Sequence, residues 1–248
     1  ARFHLRLAQP VTVPTRSGDV VAHVVEPEGS AARSSILVVH GWTSESAFMM
    51  AIAEYLRRRG YRVVLPDMPA HGVSPGHRTS LIDCAHAVRE VAEALGPISA
   101  VVAHSMGGLA ALLAGGGGRP MPRGYPFRAY VLISTPNRFK DVTRRFGREQ
   151  RLSCAAQLDF ERRLERIAER AVDDFTGVEL LREAGQPALL LHSTDDDEVP
   201  VSDAEAIAAA RTNASLMTFE GLGHRKILYA PPVVRVIAGF IDRYGGTK

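Results

Sequence analysis

The feature that most constrains this chain is a repeated exchange between two hydrophobic periodicities. Short runs rich in Val, Ile and Leu at 35–39, 61–65, 98–102, 129–133, 187–191 and 215–219 have the length and β-branched content of buried strands. Between them, 48–59, 81–95, 109–114, 203–211 and 232–244 carry apolar residues at helical spacing. Strands separated by helices are joined by crossovers, and crossovers make neighbouring strands parallel, with helices on both faces of the sheet. The 5–25 region differs. Its valines alternate with polar residues around Thr15-Arg16-Ser17-Gly18-Asp19, which predicts an antiparallel hairpin.

After the run ending near Ser134, about fifty residues pass before the next strand. We therefore expect a core domain formed by 1–135 and 186–248, with 136–185 as a helical cap insertion. Within it Phe160, Leu164, Ile167, Ala171 and Phe175 recur at helical spacing, which predicts one helix with a single apolar stripe. The natural place for a cap is over the C-terminal edge of the sheet, where open α/β sheets bind ligands. The glycine run at 115–118 lacks a following Lys-Ser/Thr, so it reads as a flexible loop and not as a phosphate cradle.

Composition removes several classes of function. With 46% hydrophobic and 23% charged residues, a chain of 248 residues has the make-up of a folded globular protein. A formal charge of +3 is too small to argue for a nucleic-acid partner. The two cysteines, Cys84 and Cys154, have no zinc-site or CxxC spacing and are expected to be free thiols. No segment reaches the roughly 18 apolar residues that cross a bilayer, and the stretch from Ala1 to Pro10 has no signal-peptide core, so a cytoplasmic location and no membrane partner are expected.

The chemistry concentrates at Ala103-His104-Ser105-Met106-Gly107-Gly108, which follows one strand and opens a helix. A serine in so sharp a turn projects its hydroxyl off the sheet, and the residues two positions to either side must be small, as Ala103 and Gly107 are. Its hydroxyl needs a base. His224, in Gly221-Leu222-Gly223-His224 after the last strand, is the best placed of nine histidines. That imidazole in turn needs a carboxylate to hold its tautomer, and Asp195, Asp196 and Asp197 compete for the role after the 187–191 strand.

Together with His40-Gly41, Asp67, His71-Gly72-Val73-Ser74 and Asp196-Asp197-Glu198-Val199-Pro200, these stretches resemble the α/β-hydrolase family over roughly 35–242, in the order Ser, Asp, His. The resemblance implies the α/β-hydrolase fold and assigns the acid to Asp196, four residues before Pro200, with Asp195 as runner-up. It further implies an oxyanion hole from the backbone amides of Trp42 and Met106. More narrowly, His40-Gly41-Trp42, the 67–76 loop and 220–225 look like a bacterial subgroup for which esterase activity is the usual inference. The expected reaction is hydrolysis of a small-molecule carboxylic ester through an acyl-enzyme on Ser105, with no metal or organic cofactor.

Bland readings compete at several residues. His104, His40 and His71 are expected to be structural, and Trp42, Phe48 and Met49 to line the acyl pocket. The segment 138–151 carries six basic residues against two acidic ones, and 159–183 five against eight, which is usually a solvated face. A sharper reading has Arg138, Lys140, Arg144 or Arg145 favouring a carboxylate-bearing substrate. A carbon–carbon bond hydrolase or an aminopeptidase would use the same triad, and a ligand-binding protein would keep the scaffold without turnover. A serine at 105 argues against a haloalkane dehalogenase, which needs a carboxylate there.

Overall fold

Parallel strands covered on both faces must be apolar at every position, and the central runs of this chain meet that demand. In the computed structural model, which describes residues 8–29 and 32–246, the chain opens with an antiparallel pair, β1 (Gln9–Thr15) and β2 (Gly18–Val25). Residues 5–7 of the expected hairpin, and most of the stretch read for a signal peptide, lie outside the described residues. There follow β3 (Ser35–Val39), α1 (Met50–Arg58), β4 (Arg62–Pro66), α2 (Leu81–Leu95), β5 (Ile98–His104), α3 (Met106–Gly116) and β6 (Ala129–Ile133). Next come α4 (Phe139–Glu149), α5 (Cys154–Ala168) and α6 (Gly177–Ala184). The chain closes with β7 (Ala188–Ser193), α7 (Val201–Ala208), β8 (Ala214–Phe219), the single turn α8 (Gly223–Lys226) and α9 (Pro231–Tyr244).

The eight strands form one sheet in the order β1-β2-β4-β3-β5-β6-β7-β8, parallel from β4 onward. Because side chains alternate along a strand, the sheet divides the core in two. Leu37, Val39, Val101, Ala103 and Leu132 face α2, α3, α6 and α7. Ile36, Val38, Ala100, Val102 and Val131 face α1 and α9. Losing a buried Leu from either layer costs about 2–5 kcal/mol, so both layers hold the strand ends in place.

Helix ends follow local chemistry. Ser80 caps α2 by accepting the Asp83 amide at 3.2 Å, and α9 begins with proline in its first turn, where a missing N–H is harmless. The glycine run is a correction: its first half is helix, not loop. A side chain at Gly115 would meet the Tyr130 hydroxyl at 1.7 Å, so glycine there lets the end of α3 lie against β6, and Gly117 at φ 72° then ends the helix.

The insertion also departs from expectation. Glu169, left-handed at φ 50°, stops α5 after Ala168, so Ala171 and Phe175 do not continue the stripe of Phe160 and Leu164. Phe175 instead enters the core after a 3-10 turn, and Ile167 is exposed. Leu180 and Leu181 bury α6 against the same core layer as α3, whereas α5 lies against α4 and the 3-10 turn Val172–Asp174, with Phe160 packed on Phe146. Both cysteines are free, Cys84 buried and Cys154 exposed.

Candidate active site

Every residue of interest lies beyond the C-terminal end of a parallel strand, on one edge of the sheet. Ser105 sits between β5 and α3 with φ 53° and ψ −130°, a backbone conformation that costs a non-glycine residue about 1–3 kcal/mol. Its amide donates to Ile133 O at 2.8 Å and its carbonyl accepts from Gly108 at 2.9 Å, which holds the turn. Two close approaches explain the glycines around it. A Cβ on Gly107 would fall 2.4 Å from His40 O, and one on Gly41 would fall 2.9 Å from the Ser105 Cβ. The loop after β3 is thereby pressed against the serine turn. Among the described residues, neither the Trp42 nor the Met106 amide donates to another protein group. Met106 opens α3, so its amide also carries the positive end of that helix dipole.

The loop after β3 is tied down by two histidines, His40 buried and His71 half-buried. His40 Nδ1 donates to Gly41 O at 2.7 Å and Nε2 accepts the Met68 amide at 2.9 Å, which fixes the neutral tautomer; burial lowers its pKa to about 4. His71 Nε2 accepts the Thr43 amide at 3.2 Å, and its ring meets Trp42 edge-on at 5.1 Å. Behind them Asp67 accepts the Ser46 amide at 2.7 Å and the Val73 amide at 2.9 Å. Burial opposes its charge, yet His23 and these amides outweigh burial and hold the carboxyl well below the usual range. These residues border a narrow cleft lined by Trp42, Met68, His71, Cys84 and Met106. Phe48 is 42% exposed, whereas Met49 is fully buried in the core on the α1–α9 face. Met49 therefore does not line the cleft, because the helical turn there aims it into the opposite layer.

On the other side, β7 and β8 deliver the acid and the imidazole. His224 Nδ1 lies 2.8 Å from Asp196 Oδ2, with the Asp196 side chain fully buried. The other oxygen, Oδ1, accepts the Glu198 and Val199 amides, each at 2.9 Å. Burial raises the Asp196 pKa, but His224 and the Val199 amide outweigh it and leave it at about 2. The other two aspartates do different things. Asp195 Oδ1 accepts from Ser193 Oγ at 2.5 Å and from the Gly221 amide at 3.0 Å, fastening the loop that leads to His224, while Asp197 is exposed. His104 donates from Nε2 to the His224 carbonyl at 2.9 Å, and burial drops its pKa to about 3, so it stays a neutral donor that seats the histidine backbone.

One group was not foreseen. Glu198 Oε2 stands 3.9 Å from His224 Nε2 and is bonded by Arg145 of α4 at 2.8 Å, with Arg225 on its other oxygen at 3.0 Å. Among the basic residues of the insertion, Arg145 is thus engaged, Lys140 pairs with Asp173, and Arg138 with Asp141 and Asp173. Arg144 is exposed and makes no ion pair among the described residues. No group of three His, Cys, Asp or Glu side chains among the described residues has the arrangement of a metal site.

Known proteins resemble this chain to different depths. A sequence model of the alpha/beta hydrolase family matches residues 36–238. A pyrethroid hydrolase from Sphingobium wenxiniae is 35% identical over 78 residues, 30% of this chain and 28% of that protein. The match thus spans little more than a quarter of that relative. An esterase from Pyrococcus furiosus superposes with a TM-score of 0.73 at 18% identity, covering 99% of this chain and 96% of that one. Est1E from Butyrivibrio proteoclasticus, solved with ferulic acid, gives 0.75 at 18% identity over 94% and 98%. At such identities the superpositions establish the fold, while the family match covers most of the sequence: the chain belongs to the α/β hydrolase family.

Proposed function

We propose that this protein is a carboxylesterase-like serine hydrolase that cleaves a small-molecule ester through an acyl-enzyme on Ser105. The observation that carries the reading is the Asp196–His224 pair at 2.8 Å, on the sheet edge that also presents Ser105 in a strained turn. With Nδ1 donating to Asp196, His224 keeps Nε2 free to take the serine proton. The Ser105 oxygen attacks the ester carbonyl, and the Trp42 and Met106 amides receive the oxyanion. His224 then protonates the departing alcohol, activates water, and the acyl group leaves as a carboxylic acid. A preorganised donor pair of this kind is worth about 3–4 kcal/mol per donor in the transition state.

In this reading the acyl group binds beside Trp42 and Met106, which line the cleft, and the exposed Phe48 is a further apolar contact. Within segment 136–185, α4 and α5 serve as the cap in this reading, with α4 nearest the site, whereas α6 packs in the core layer beside α3. Relatives named as esterases favour an ester over a carbon–carbon bond or a peptide. The cytoplasm is the proposed location, and no helix among the described residues is long and apolar enough to cross a membrane.

Hydrolysis of p-nitrophenyl esters from acetate to octanoate, by wild type and Ser105→Ala, tests the reading. Turnover in the wild type that falls by about 10⁴-fold or more in Ser105→Ala is expected. Equal activity in the two would overturn it.

A further inference from the structure

A carboxylate beside the free nitrogen of a catalytic base is a hazard. Glu198 Oε2 is 3.9 Å from His224 Nε2, too far for a hydrogen bond, yet about 1 Å of closer approach would form a charge-assisted one. Such a bond would hold a proton on Nε2 and take the place of the serine hydroxyl. Two guanidinium groups pull the other way. Arg145 donates from Nη2 to Glu198 Oε2 at 2.8 Å and from Nη1 to the Glu198 carbonyl at 2.6 Å, and Arg225 donates to Oε1 at 3.0 Å. Arg145 is itself steadied by Glu149 at 3.0 Å on the same helix. Burial disfavours the Glu198 charge, but Arg145 and Arg225 outweigh it and keep the group ionised at neutral pH.

We propose that Arg145 is a positioning residue which keeps the Glu198 carboxylate off His224, so that the base is free only while α4 is seated. The inference rests on the reading of Ser105 and His224 given above. It makes the insertion a condition for the chemistry and not merely a cover. The charged and titratable groups facing His224 are Asp196 at Nδ1, the His104 ring at 4.6 Å and Glu198 at Nε2. His192 lies behind Asp196 at 3.4 Å, and Arg145 and Arg225 act through Glu198.

The test compares wild type, Arg145→Met and the double variant Arg145→Met/Glu198→Gln. Each is assayed for kcat and KM on p-nitrophenyl acetate between pH 5 and 9, with a fluorophosphonate probe reporting the reactivity of Ser105. In Arg145→Met the released carboxylate should lower kcat by about tenfold and move the acidic limb up by about one pH unit, with little change in KM. Removing the carboxylate as well should restore kcat to within about threefold and return the limb. A single variant that behaves like wild type overturns the proposal. So does a double variant as slow as the single one, because Arg145 would then only prop the loop that carries Asp196. Should Arg145→Met not fold, Arg145→Lys keeps the charge, loses the two-pronged contact, and carries the same comparison. If the probe fails to label wild-type Ser105, the esterase reading falls too; if it labels normally and only the Arg145 effects are missing, this inference falls alone.

Discussion

Two buried aspartates at the same sheet edge are built alike and used differently. Asp67, after β4, spends both oxygens on backbone amides, Ser46 on one and Val73 on the other, with His23 at 3.4 Å beside the second. Asp196, after β7, gathers the Glu198 and Val199 amides on a single oxygen and leaves the other to His224 at 2.8 Å. A carboxylate satisfied on both oxygens staples loops together. One with an oxygen to spare orients an imidazole. The serine side of the site is thus a fixed scaffold, whereas the histidine side is bridged by Glu198 to α4.

The largest effect that would break this comparison is kinetic. Asp196→Asn should retain the fold and lower kcat by about 10⁴-fold, since an amide cannot hold the same imidazole tautomer; a loss under tenfold in steady-state assays would make Asp196 another staple. Asp67→Asn should do the opposite, with kcat of the folded protein within about tenfold of wild type and a loss of about 2–3 kcal/mol in urea unfolding. The same contrast has a pH signature. Both carboxyls have folded pKa values below the ordinary 3.8, so their stabilisation is present above about pH 4 and is lost as pH falls through the folded values. Unfolding free energy should therefore fall below pH 4 in wild type and fall less steeply in Asp67→Asn. Equal slopes would show that Asp67 is not the acid-labile staple.

Much of this was legible in the sequence because it is local. A strand run, a serine between small residues and a helix signal are contiguous, and the structure turns them into the strained turn at Ser105. The residues alone left three neighbouring aspartates open, and it was the resemblance that pointed to Asp196. Asp195 is tied to Ser193 and to the Gly221 and Gly223 amides, while Asp196 reaches His224 at 2.8 Å. The end of α5 was hidden because Ala171 and Phe175 keep helical spacing while Glu169 breaks the backbone. Met49 misled because one position in a 3-10 turn decides which core layer a side chain enters. The Arg145–Glu198 contact joins residues far apart in the chain, and no local pattern announces it.

The central claim is that Ser105 carries the acyl group. Mass mapping of the protein after reaction with a fluorophosphonate tests it most directly. One adduct per chain on the peptide containing Ser105, formed far more slowly in His224→Ala, is the expected result. An adduct elsewhere, or labelling of Ser105 that proceeds equally well without His224, would contradict the account.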